Sequence, residues 1–335
     1  MTRRPLRIGN YSGYLGDRPT ALAEVLAGDP LDVIFGDHLA EVTLAALTSA
    51  RRRDPGSAWV PCAVELLRPQ LRALVERGTR LVTDAGGFSP AGLAAALRQA
   101  AREDGVPLSV AHVEGDDVLD RWRELCHLED GTPLEQPPLA ANAYLGGWGI
   151  DAALEAGADV VVCGRVTDAS MVVGPAAWWH AWERDDLERL AGAVVAGHLL
   201  ECGPHVTGGN FSGFTALGDL TLPGFRSGEL ADDGSVVVTK HAGSGGAVTV
   251  DTDGAAAVRG AEPGPPQPRR DGGAVGRPAR AGGPGPGAGL GRRGPARATD
   301  HEGGGLARHR VVGTVFPDRA GAGGEVRARA GAGPA

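Results

Sequence analysis

The sequence predicts an α/β fold: a mainly parallel sheet with helices on both faces, a three-layer Rossmann-like arrangement, followed by a disordered C-terminal tail. Three observations predict it. Through residues 1–252, short apolar runs ending in Gly or Asp alternate with helix-periodic segments, the pattern of parallel strands joined by helical crossovers. The stretch before the tail is long enough to bury one sizeable core. Beyond it, Gly254 to Ala335 holds 22 Gly, 10 Pro and 13 Arg in 82 residues, with Phe316 its one aromatic. So little apolar surface cannot offset the entropy of ordering the backbone. Residues 1–252 therefore read as the folded domain and 253–335 as a low-complexity tail.

The elements follow in order. LRIG (6–9) is the first strand, leading through NYSGYLGD to a helix from about Pro19 to Ala27. DVIFGD (32–37) is the second, and Leu39, Val42, Leu44 and Leu47 of the following segment suit a partly buried helix. A further helix spans roughly Val64 to Arg77, stopped by Gly78. TRLVTDAGG (79–87) gives a strand and loop, with an Ala-rich helix from Pro90. PLSVAHVEGDD (107–117) repeats the pattern, with a helix to about Leu128. LAANAYLGGWG (139–149) and ADVVVCGRVTDAS (158–170) close the series. A helix at Asp185–Leu200, a glycine-rich loop and a hairpin at Gly228–Lys240 complete it, and no repeat of fixed period occurs.

The net charge is −8, and because the tail carries +7, residues 1–253 carry −15. That argues against a nucleic-acid groove, which needs a basic face. No run approaches the roughly 18 apolar residues of a membrane span, and the N-terminus lacks a signal-peptide core. Cys62, Cys126, Cys163 and Cys202 lie far apart without a CxxC pair, which suits reduced thiols in the cytoplasm. A small-molecule substrate is the expected ligand, with a homo-oligomer or a partner enzyme as further associations.

In an open parallel sheet, ligands bind beyond the carboxyl ends of the strands, so the post-strand loops are the place to look. The first, GNYSGYLGD, offers Gly9, Asn10, Ser12, Gly13 and Asp17 as an anion cradle or, alternatively, as a tight turn. Asp37 and Glu41 stand four apart at an expected helix start and would face one side, as an acid–base pair, a cation holder or a dipole-favoured acidic terminus. Asp84, Gly86 and Gly87 form the third loop. In GRVTDAS (164–170), Arg165 can grip an anion or brace the turn against Asp168. GHLLECGPHVTGGNF brings His198, Glu201, Cys202 and His205, a poor zinc set because Gly203 and Pro204 break the helix. Cys202 can be a nucleophile or a small buried hydrophobe. Gly208, Gly209 and Asn210 can form a backbone nest for an oxyanion. Trp148, Trp178, Trp179 and Trp182 read as packing residues. Neither a metal nor a cofactor is expected. Asp37, Glu41, Asp168 and Glu201 are the catalytic candidates, the other loop residues the ligand contacts.

Taken in order, IGNYSGYLGD, DVIFGDHLAEVTL, DAGGFSP, ANAYLGGWGIDAALEAGADVVVCGRVTDAS, GHLLECG and TGGNF resemble the acyclic terpene utilisation (AtuA) family, from about Ile8 to Thr252. The resemblance implies a role in the breakdown of acyclic terpenes, on branched or terpenoid acyl-CoA or acid intermediates. Two positions depart from it: Asp84 stands where the family more commonly has Asn, and His205 at a position not expected to be constrained. Similar proteins continue with AQLLYE and NPDV. Codons for Gly254–Gly273 can be chosen so that reading one base later gives AQLLYEVQSPAHLNPDVTA. The tail therefore reads as a displaced frame, and the chain as a truncated family member. Two functions fit: an enzyme using carboxylate-assisted proton transfer, hydration or C–C lysis, or a non-catalytic subunit binding an acyl-CoA or a partner. An inactive truncated product is the third reading.

Overall fold

A computed structural model of the chain describes residues 3–127, 132–252 and three short strands beyond them. In chain order the strands are β1 (Leu6–Ser12), β2 (Val33–Gly36), β3 (Arg80–Thr83), β4 (Val110–Val113), β5 (Leu125–His127), β6 (Ala140–Ala143), β7 (Val160–Cys163), β8 (Arg226–Leu230), β9 (Val236–Lys240), β10 (Ala288–Leu290), β11 (Val312–Phe316) and β12 (Gly324–Ala328). The helices are α1 (Ala21–Ala27), α2 (Glu41–Arg53), α3 (Ala63–Leu67), α4 (Leu71–Arg77), α5 (Pro90–Glu103), α6 (Trp148–Glu155), α7 (Ser170–His180) and α8 (Leu187–Leu200). The rest of the tail, on which disorder was expected, lies outside the described residues.

The main sheet has the order β10-β9-β8-β1-β2-β3-β7-β4. Its five strands β1, β2, β3, β7 and β4 are parallel, and the β8–β10 wing is antiparallel. Alternate strand residues enter two separate cores. Ile34, Leu81, Val160 and Val162 pack with Leu22, Leu44, Leu71, Leu93 and Leu97 of α1–α5. Val33, Phe35, Val82, Val161 and Cys163 pack instead with Ile150, Met171, Val172 and Leu199 of α6–α8. Period-2 alternation on a sheet covered on both faces produces these three layers.

The chain steps from β1 to β2 to β3 through helices on the first face, and α5 carries it past one position to β4 at the edge. It returns to place β7 between β3 and β4, and α7 and α8 then lead back over the second face to β8. The connections leaving β3 and β7 thus run in opposite directions, and the carboxyl ends at such a switch point are where ligands bind in open parallel sheets.

Four expectations are corrected. The helix expected over Val64–Arg77 is α3 and α4 separated by a 3-10 turn at Arg68–Gln70, because Pro69 has no amide to continue the ladder. The helix expected to about Leu128 is a 3-10 turn at Leu119–Glu124 followed by β5, which pairs with β12. The segment at 139–149 supplies β6, which belongs to a separate antiparallel sheet, β5-β12-β11-β6, and not to the main one. Finally, α2 begins at Glu41, not before it. No helix among the described residues is long and apolar enough to cross a membrane.

Candidate functional site

The alternation that builds the second core also selects what lies above it. Val33 and Phe35 of β2 face α6–α8, so Asp37, two residues on, continues that row; Val82 leads likewise to Asp84, and Val161 and Cys163 to Arg165. Leu6 and Ile8 lead to Asn10, whose Nδ2 donates to the Glu201 carbonyl at the end of α8 at 3.0 Å and to Ser12 O at 2.8 Å. Asp168 approaches from the turn before α7. One oxygen from each of Asp37, Asp168 and Glu201 falls within 4.8 Å of the others. Asp37 and Glu201 are each 7% exposed, whereas the Asp168 side chain, at 39%, opens the group to solvent.

Asp84 and Arg165 frame this cluster. The wholly buried Asp84 carboxylate accepts the His38 amide at 2.7 Å and the Leu39 amide at 3.1 Å, with the His38 ring beside it at 3.6 Å. Burial opposes its charge, but these contacts prevail and hold its pKa below the usual value. Asp37 moves the other way: burial first, then the charges of Asp84 and Asp168, push it well up despite Arg165. Adjacent carboxyls driven apart in this manner let one carry the proton while the other stays ionised. Burial, with Asp168 adding to it, also raises Glu201, although His198 opposes this from 3.4 Å.

Arg165 is 6% exposed. Its two terminal nitrogens donate to Leu39 O at 2.7 Å and Asp168 Oδ1 at 2.8 Å, and its guanidinium lies 4.3 Å from the Tyr144 ring centroid. These partners make it a brace that holds the β2 and β7 loops together. Its backbone amide donates to Asp116 at 2.8 Å, and Asp116 also accepts from Asn142. Gly164 is required there, since a Cβ would stand 2.5 Å from both Asp116 oxygens.

The other predicted residues contribute no ligand atom to this convergence among the described residues. Asp37 precedes α2, so it and Glu41 do not share one helix face; Glu41 is exposed and bonded to the Tyr144 hydroxyl. Gly9 and Ser12 belong to β1; a Cβ at Gly9 would meet Leu31, and the Ser12 hydroxyl donates to Tyr14 O. The Gly13 amide donates to Asp17 at 2.6 Å, so the loop's own acid occupies part of the expected cradle. Gly13 also lies against the end of α8, where a Cβ would come within 2.5 Å of the Gly203 nitrogen. Gly86 packs on Cys163 O, and Gly87 takes a positive φ beside Ala58. The amides of Gly208 and Gly209 donate to His205 O and Pro204 O, not outward into a nest, and Asn210 is exposed. Burial and the Glu201 charge push the Cys202 thiol up to about 12, which favours the thiol over the thiolate. His198, Cys202 and His205 are not among the convergent ligand atoms of the described residues.

A cleft of about 270 Å³, open mouth included, lies beside the β1 loop, lined by residues including Tyr11, Ser12, Asp17, Arg18 and His38. Tyr11 belongs to the first core, so this cleft opens on the opposite side of the sheet from the carboxylates. Sequence reasoning missed His38 and Asp116. Both carry the signal that identified the others, a polar residue just after a strand.

No curated protein and no solved structure matches the chain. Its residues 6–255 match the model of the acyclic terpene utilisation family protein AtuA, and the chain belongs to that family.

Proposed function

We propose that this chain is an enzyme of acyclic terpene utilisation that acts on branched or terpenoid acyl-CoA or carboxylic-acid intermediates. Carboxylate-assisted proton transfer is the step it performs, in a hydration or a C–C lysis. The family supports the pathway. The observation that carries the chemistry is the convergence of Asp37, Asp168 and Glu201 within 4.8 Å above the switch point. A general acid and base must stand within hydrogen-bond reach of one reacting atom, and the group meets that geometry. Asp168, the most exposed of the three, receives the substrate; Asp37 and Glu201 exchange protons behind it. Arg165 fixes Asp168 and the Leu39 carbonyl and so positions the acid.

Incubation with a panel of terpenoid acyl-CoAs and free acids, followed by mass spectrometry, tests this reading. Turnover abolished in Asp37→Asn and in Asp168→Asn, with substrate binding retained, is the expected result. Binding without turnover by the unaltered protein would assign it a carrier role instead and overturn the enzymatic reading.

A further inference from the structure

An acidic site meets an acidic ligand poorly. Four carboxylates, Asp37, Asp84, Asp168 and Glu201, gather above the second core, and the neighbouring guanidinium has both terminal nitrogens engaged on Leu39 O and Asp168. An acyl-CoA or a carboxylic acid would bring further negative charge to that point. Something positive must intervene if the proposed reaction is to occur there.

The buried polar atoms show where. Glu201 turns one oxygen to His198 and Cys202, while its other oxygen, Oε2, is buried without a hydrogen-bond partner. The wholly buried Asn10 has its amide nitrogen held by Ser12 O and Glu201 O, which fixes the plane of the group, and its Oδ1 is likewise buried without a partner. A buried acceptor left without a donor bears the full desolvation cost of the group. Asn10 adjoins Glu201 through its Nδ2 bond to the Glu201 backbone carbonyl, and Glu201 belongs to the carboxylate triad; the two acceptors mark a position for a ligand that offers positive charge.

We infer that Asp37, Asp168 and Glu201, with Asn10 as an additional oxygen donor, bind one divalent cation of the magnesium class. Oxygen donors alone select a hard ion over zinc, which favours nitrogen and sulfur. Opposed oxygens around such an ion stand about 4–5 Å apart, twice the usual metal–oxygen distance of about 2.0–2.6 Å, and the triad's 4.8 Å limit accommodates that. The cation would hold Asp37, Asp168 and Glu201 ionised, in place of proton exchange between them, and would present open positions, on the exposed Asp168 side, to a carboxylate or thioester oxygen. The inference rests on the proposed reaction only for its substrate; the cation site itself stands on the geometry.

Mn²⁺ is the probe. Titration of the full chain, followed by electron paramagnetic resonance of free Mn²⁺ and by calorimetry, is expected to show one equivalent bound and displaced by Mg²⁺. Asp168→Asn and Glu201→Gln should each weaken it at least tenfold, with folding checked by circular dichroism. Asp168→Asn, at a half-exposed position, decides the matter where Glu201→Gln fails to fold. No binding at millimolar Mn²⁺, or an affinity unchanged in Asp168→Asn, overturns the inference. Turnover that survives chelation yet is lost in Asp37→Asn would sink the cation and leave the acid–base reading standing. Mn²⁺ bound with one-equivalent stoichiometry but no turnover on any acyl substrate would do the reverse.

Discussion

Replacing Arg165 by methionine tests the bracing role most directly, because methionine preserves most of the side chain's volume and removes only its charge and donors. Two bonds disappear, to Leu39 O and Asp168 Oδ1. Breaking a buried ion pair costs about 3–5 kcal/mol, but Asp168 is 39% exposed and partly screened by water, so the pair falls at the lower end of that range or below it. The Leu39 carbonyl, left without its donor, adds about 1 kcal/mol. A total near 3 kcal/mol corresponds to a drop in Tm of roughly 6–12 °C for a domain of this size. The assay is thermal unfolding of the wild type, R165M, D168N and the double variant. In the cycle, D168N should cost little once Arg165 is gone, giving a coupling of at least about 1 kcal/mol. A Tm change below about 2 °C, or additive single effects, would refute the brace and return Arg165 to the role of an anion grip.

Three further outcomes follow from the structure. Gly13→Ala forces a methyl into the Gly203 nitrogen and the Cys202 carbonyl carbon, and overpacking there should cost about 1–3 kcal/mol in urea unfolding; a neutral result would mean that the β1 loop yields freely. The Asp32 carboxylate is held below its ordinary pKa: burial works against its charge, but the hydrogen bonds from Arg4 and the Arg7 amide outweigh it. A depressed carboxylate stabilises fully above its unfolded value near 3.9 and loses that contribution as the pH falls through the folded value, so D32N should be clearly less stable than the wild type at pH 7 and approach it as the pH falls below that unfolded value. Sequencing the gene across Thr252 should reveal the displaced frame; an undisturbed coding sequence would remove that reading of the tail.

The parallel strands were legible because each is a short apolar run stopped by Gly or Asp, and the loops that end them are where Asp37, Asp84, Arg165 and Asp168 stand. What failed was local geometry imposed from a distance. Asp37 and Glu41 have the spacing of a helical pair, yet the Asp84 carboxylate captures the amides of His38 and Leu39 from a neighbouring strand and holds them out of the helix. Nothing within four residues of Asp37 announces that partner. The segment before Leu128 failed similarly, since β5 exists by pairing with β12, some two hundred residues later. The Gly208–Gly209 turn illustrates a third limit: glycine spacing indicates that amides are available, but not that nearby carbonyls at His205 and Pro204 have taken them.

The placement of the cluster follows from the phase of the sheet and not from its composition. Each strand end carries polar residues in succession, and consecutive residues of an extended chain project to opposite faces. At the end of β2, Asp37 joins the carboxylates above α6–α8, while His38 lines the cleft beside Tyr11 on the α1 side. Asp84 touches both, accepting from the His38 amide and raising Asp37 by its charge. A one-residue shift in the register of β2 against β3 would exchange these roles, sending the histidine to the acidic face and the acid to the cleft. The register is held by Val33, Ile34, Phe35 and Gly36 against Arg80, Leu81, Val82 and Thr83, with Val33, Ile34 and Phe35 almost completely buried. The apolar core and the candidate chemistry are therefore fixed by the same constraint. A substitution in β2 that lets the strand slip should lower stability and abolish both divalent-cation binding and turnover together.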